Sequence, residues 1–77
     1  MILGTVLGQL RLERTLPGGQ GRRFVQVRCG AKLLTALDCL GAECGELVLL
    51  TVGENAARLC PELPVDAAVL GVAGNNG

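Results

Sequence analysis

The sequence predicts an all-β fold, a small five-stranded barrel with one short helix ahead of its last strand. Three observations lead there. Period-two alternation recurs in short runs along the 77-residue chain, glycine-rich turn signals separate the runs, and one stretch of helical character precedes the final run. Strands so short and so closely spaced fit a closed or nearly closed barrel of OB-like character.

The elements follow in order. Ile2 to Leu12 places Ile2, Gly4, Val6, Gly8, Leu10 and Leu12 on one face, which predicts a long first strand that bends at Gly4 and Gly8. Leu16-Pro17-Gly18-Gly19-Gln20-Gly21 is a loop by every local criterion. Arg22 to Cys29 alternates again, with Val25, Val27 and Cys29 inward and Phe24, Gln26 and Arg28 outward. Gly30 turns the chain into a third strand, Lys32 to Leu37. The segment from Asp38 to Glu46 breaks the alternation. Leu47 to Val52 is then apolar on both faces, the mark of a strand buried on both sides or packed on a neighbouring subunit. Glu54 to Cys60 makes about two turns of helix before Pro61 stops it. Val65 to Ala73 is the last strand. Residues 1–73 thus form a single barrel domain, and 74–77 are expected to be a mobile tail.

Composition constrains what such a barrel does. A chain this short buries only roughly 60–65% of the surface that its unfolded form exposes, so help from disulfides, a metal or partner subunits is expected. Hydrophobic residues make up 49% of the chain and charged residues 18%, which is more apolar surface than a lone small barrel hides and favours burial between subunits. Met1 leads directly into a strand without a basic leader, and no apolar run reaches the roughly 20 residues needed to span a bilayer. The chain is therefore expected to be soluble and cytoplasmic.

Cys29, Cys39, Cys44 and Cys60 contain no C-x-x-C pair, and the chain has no histidine to complete a common zinc set. Reduced thiols acting as small hydrophobes are expected, with no metal and no cofactor. Net charge is zero but unevenly spread, at +5 over residues 1–32 and −5 over residues 33–77. The two halves either pair internally or form a basic and an acidic edge that meet between subunits.

The residues needed for catalysis are missing. Without histidine or serine there is no common acid–base partner and no serine nucleophile. Cys29 beside Arg28 is the only local candidate for an activated thiol, and alternation puts the two on opposite faces. Gly18-Gly19-Gln20-Gly21 lacks the lysine and helix of a phosphate-binding loop. The alternative function is that of an OB-like module binding single-stranded nucleic acid, but such sites stack bases on aromatic residues and Phe24 is the only aromatic here.

Three segments then carry a resemblance: Asp38 through Val48, Gly53-Glu54-Asn55-Ala56-Ala57-Arg58, and Pro64 through Val72. The opening is similar too, with Gly4-Thr5-Val6-Leu7-Gly8, a loop at Gly21 and a basic residue leading a valine-rich strand. Together, from Met1 to about Val72, they resemble the bacterial microcompartment vertex proteins, the pentameric shell proteins of carboxysomes and of ethanolamine-type organelles. Two departures are Glu43, where the family often has glycine, and a shorter hairpin at Gly30.

The resemblance implies a structural protein, not an enzyme. It implies a homopentamer that caps the five-fold vertices of a microcompartment in the cytoplasm, with hexameric shell proteins as neighbours, and no nucleic acid or membrane partner. In that setting Gly41, Ala42, Glu43, Gly45 and Glu46 are candidates for the subunit interface or the five-fold axis. Asp66 is an acid amid apolar neighbours that needs a partner if buried. Arg58 in the preceding helix is the candidate partner, within the chain or across the ring.

Overall fold

The computed structural model describes residues 1–59, 61 and 65–74. Its strands are β1 (Ile2–Leu10), β2 (Phe24–Cys29), β3 (Lys32–Leu37), β4 (Leu47–Val52) and β5 (Ala67–Val72), with helix α1 (Glu54–Leu59) between the last two. They close a barrel in the order β1-β2-β3-β5-β4. All neighbours are antiparallel except β3 and β5, whose single parallel pair, Leu37 with Ala68, seals the wall. The five-stranded barrel with one helix before its last strand is as expected.

Alternation explains the interior. Val6, Val25, Val27, Ala36, Val48, Leu50 and Val69 point inward and form the main cluster with Ala42 and Ala67. The side chains are small because the barrel is narrow; a five-stranded wall leaves room for Val and Ala but little more. A second cluster of Leu37, Ala56 and Ala68 plugs one end, with Phe24 and Val65 packed against it. Ala56 is the one buried residue of α1, so the helix covers the barrel end with that small side chain turned inward.

Long β1 takes part in two ladders. Its first half pairs with β4 and its second with β2, and a register shift between Val6 and Gly8 leaves Leu7 as a bulge. That is the bend expected near Gly8. Gly4 has a different reason to be glycine. A Cβ there would run into the Val27 side chain, and would lie 2.6 Å from Cys29 Sγ and 2.9 Å from the Arg28 carbonyl oxygen. β1 and β2 approach too closely at that point for any side chain.

Three expected boundaries shift. β1 ends at Leu10 rather than Leu12, because Leu10 pairs with Phe24, the first residue of β2, and nothing lies opposite Arg11 or Leu12. Leu12 is half exposed accordingly. β2 begins at Phe24 instead of Arg22, and β5 spans Ala67–Val72 instead of residues 65–73, although the Ala73 amide still donates to the Leu47 carbonyl at 2.7 Å. Cys60, Pro64 and all of the expected tail except Gly74 lie outside the described residues.

Candidate functional site

The longest connection without helix or strand after β3 is the loop 38–46, where five of the seven candidate residues fall. Asp38, at the end of β3, organises it. The Leu40 amide donates to Asp38 Oδ1 at 2.9 Å and the Ala42 amide to Oδ2 at 2.8 Å. The first of these is the local turn that an Asp side chain makes with the backbone two residues on. From the start of β2, Arg23 Nε donates to Oδ2 at 2.9 Å, one Nη to the Gln9 side-chain carbonyl at 2.9 Å, and the other Nη to the Ala42 carbonyl at 2.6 Å. One guanidinium thus ties together β1, β3 and the loop.

The loop's far end is fastened to β1. The Gly45 amide donates to the Val6 carbonyl at 2.7 Å, and the Val6 amide returns to the Glu46 carbonyl at 2.9 Å. The Glu43 amide donates to the Glu46 carboxylate at 2.7 Å, and the Cys44 thiol to the Leu7 carbonyl at 3.0 Å. The last acceptor is at the bulge, which turns the Leu7 carbonyl away from the ladder. Gly41 at φ 77° and Gly45 at φ 91° supply the left-handed turns that let so short a segment reverse twice.

Gly41, Glu43 and Gly45 are exposed and Glu46 half-buried, whereas Ala42 is fully buried. Ala42 therefore cannot offer its side chain to another subunit; it anchors the loop in the core. Arg58 and Asp66 are both exposed. Among the described residues the ion pair with a buried carboxylate is Arg23 with Asp38, and the Asp38 side chain is 0% exposed. Within the subunit the buried acid is Asp38, and Asp66 is exposed. Asp66 stands outside the barrel wall, and its role there is to accept the Gly53 amide on its carbonyl at 2.8 Å.

Sequence reasoning missed Arg23 and Gln9. Arg23 comes beside Asp38 at the open end of the β2–β3 hairpin, where the Asp38 amide donates to the Arg23 carbonyl at 2.8 Å, and Gln9 reaches Arg23 from β1. Asp38 itself carried a readable signal, an Asp at the end of a strand followed by a glycine turn. The Arg23–Asp38 pair also joins the basic and acidic halves of the chain internally.

Little here suits catalysis or nucleic acid. Among the described residues no group of three His, Cys, Asp or Glu side chains could hold a metal ion. A hollow of about 380 Å³ between the end of β1 and the following loop is lined by Gln9, Arg11, Thr15 and Arg22, and no carboxylate or thiol reaches it. Cys29, Cys39 and Cys44 are free thiols. Burial pushes the Cys29 thiol up, which disfavours the thiolate. Phe24 packs against the second core cluster, not on a surface where a base could stack. No helix among the described residues is long and apolar enough to cross a membrane.

The profile described as "Ethanolamine utilisation protein EutN/carboxysome" matches residues 1–73. The chain belongs to this family. No curated protein sequence matches it. Among solved structures it is similar to CcmL of Gloeobacter violaceus, at 26% identity and a TM-score of 0.89, covering 100% of this chain and 89% of that one. It is similar to GrpN, a pentameric microcompartment shell protein from Rhodospirillum rubrum, at 26% identity and a TM-score of 0.84, covering 97% and 95%. The EutN structure from Escherichia coli aligns at 28% identity and a TM-score of 0.81, covering 100% and 92%. EutN/carboxysome proteins are structural shell proteins, not enzymes, which agrees with the missing catalytic groups.

Proposed function

We propose that the chain assembles as a homopentamer that caps the five-fold vertices of a bacterial microcompartment shell, beside hexameric shell tiles. The observation that carries this reading is the match over nearly the whole chain to a pentameric shell protein of the same fold, GrpN. The physical argument is geometric. A sheet of hexagons cannot close into a polyhedron without five-fold corners, and a cyclic ring of a small subunit with a heterologous interface makes such a corner. The excess of apolar over charged residues suits a subunit that is buried on more than one side.

In this reading loop 38–46 is held rigid so that Gly41, Glu43, Gly45 and Glu46 can be presented to the ring, and Arg58 and Asp66 meet a neighbour. Light scattering coupled to size exclusion tests the ring. Five copies of a 7.9 kDa chain weigh about 40 kDa, and a stable monomer at micromolar concentration would overturn the proposal. Co-expression with hexameric tiles tests the corner, since shells should close with this chain and stay open without it.

A further inference from the structure

The strands β1, β4 and β5 contain no charged residue, and they lie side by side in the barrel wall. Their inward positions are filled by the core. Their outward positions are uncharged and mostly apolar, with Thr5 and Gln9 of β1 the exposed polar exceptions. Leu3 pairs with Leu49, Leu49 pairs with Gly71, and Thr5 pairs with Leu47, so these residues share the outer face. A register shift in the β4–β5 ladder leaves Leu70 unpaired beside them. Leu3 is 54% exposed, Leu47 43% and Leu70 42%, with Leu49 half-buried between them. A Cβ at Gly71 would meet nothing, so a notch lies open next to Leu49. The other side of the barrel is different. The outward pairs of β2 and β3 are Gln26 with Thr35 and Arg28 with Leu33, a mixed polar surface.

We infer that this outer face of β1, β4 and β5, centred on Leu3, Leu49 and Leu70, is the surface that each subunit buries against the next copy of the chain. The inference rests on the pentamer proposed above. A face without charges loses little hydration when covered, and it offers nothing to a charged partner. It spans three adjacent strands, which is the continuity an interface core requires and which scattered exposed leucines elsewhere lack. The occupant is a second copy because the related GrpN is pentameric and aligns over 97% of this chain. A cyclic ring is heterologous, so the face meets a different surface of the neighbour and remains open only at a broken ring.

Leu3 and Leu70 are exposed in the single subunit, so Leu3→Glu and Leu70→Glu leave the barrel core untouched. Each variant should run as a monomer at concentrations where the unchanged chain is pentameric, with the same β signal in circular dichroism, and Leu3→Met should stay pentameric. Hydroxyl-radical footprinting of the unchanged protein gives an independent reading: Leu3 and Leu70 should be protected, and Leu16, 59% exposed and outside the face, should be labelled. If the unchanged chain is pentameric while both Glu variants remain pentameric, or if Leu3 and Leu70 label like Leu16, the inference fails and the pentamer stands. Pentameric Glu variants that no longer enter shells would assign the face to the hexameric tiles, and would overturn it equally. A monomeric unchanged chain would remove the pentamer itself.

Discussion

Arg23 Nε lies 2.9 Å from Asp38 Oδ2, although the two residues are 15 apart in sequence, one just before β2 and the other just after β3. The carboxylate is wholly buried and the guanidinium one-third exposed. Asp38 therefore depends on Arg23 and on two loop amides for all of its compensation, and the loop depends on Asp38 for its shape.

Asp38→Ala should destabilise the fold more than a change at any exposed acid. It would leave the Leu40 and Ala42 amides and part of Arg23 without acceptors, costing about 3 kcal/mol. That corresponds to a fall of roughly 10 °C or more in Tm for a chain this short. Arg23→Lys should cost less but still measurably, because an ammonium cannot reach three separated acceptors as a planar fork does. Thermal melts at one fixed protein concentration test both, and a Tm unchanged within a degree would show that the clamp contributes nothing.

Gly4→Ala is expected to be destabilising by about 1–3 kcal/mol, because the added methyl meets backbone and two inward side chains at once. Gly8→Ala, where a Cβ meets nothing, serves as the control and should be tolerated. Equal melting points for the two variants would contradict the close approach of β1 and β2.

The cysteines should separate by reactivity. Cys39 and Cys44 are exposed and should be alkylated rapidly in the native protein, whereas Cys29 should react slowly. Burial raises its folded-state pKa above the ordinary 9.0, so its thiolate appears at higher pH than in the unfolded chain. Any stability linked to this thiol is intact below the unfolded pKa and declines as pH rises through it, since the unfolded chain then sheds its proton first. Mass spectrometry of a timed alkylation at pH 8 distinguishes the sites, and Cys29 labelling as fast as Cys39 would sink the assignment.

Arg58→Ala and Asp66→Ala should weaken assembly without unfolding the subunit, since both side chains are exposed in the isolated barrel. If the two meet across a ring boundary and are buried there, losing one costs on the order of 3–5 kcal/mol per contact. In water the figure is about 1 kcal/mol or less. Mass on dilution, read beside circular dichroism, decides. Variants that stay pentameric at every dilution would show that these charges only solvate the surface.

Much of the fold was legible in the sequence because alternation is a local property. Val25 and Val27 inward, the hairpin at Gly30, the doubly apolar Leu47–Val52 and the short helix after Gly53 all follow from neighbours within a few residues. The same pattern marked a strand needing cover on both sides, and the outer leucines of β1, β4 and β5 are that surface. What the sequence did not reveal depends on strands meeting. β1 stops at Leu10 because β2 begins opposite it, which no property of Leu12 announces. Asp66 looked like the acid in need of a partner because its sequence neighbours are apolar, yet burial is set by position in the wall, and Asp66 stands outside it. Asp38 takes its partner from the register of the β2–β3 hairpin, which sets Arg23 beside it, and Gln9 holds that guanidinium from β1. Periodicity decides which way a side chain points. Only the register of the paired strands decides what it then touches.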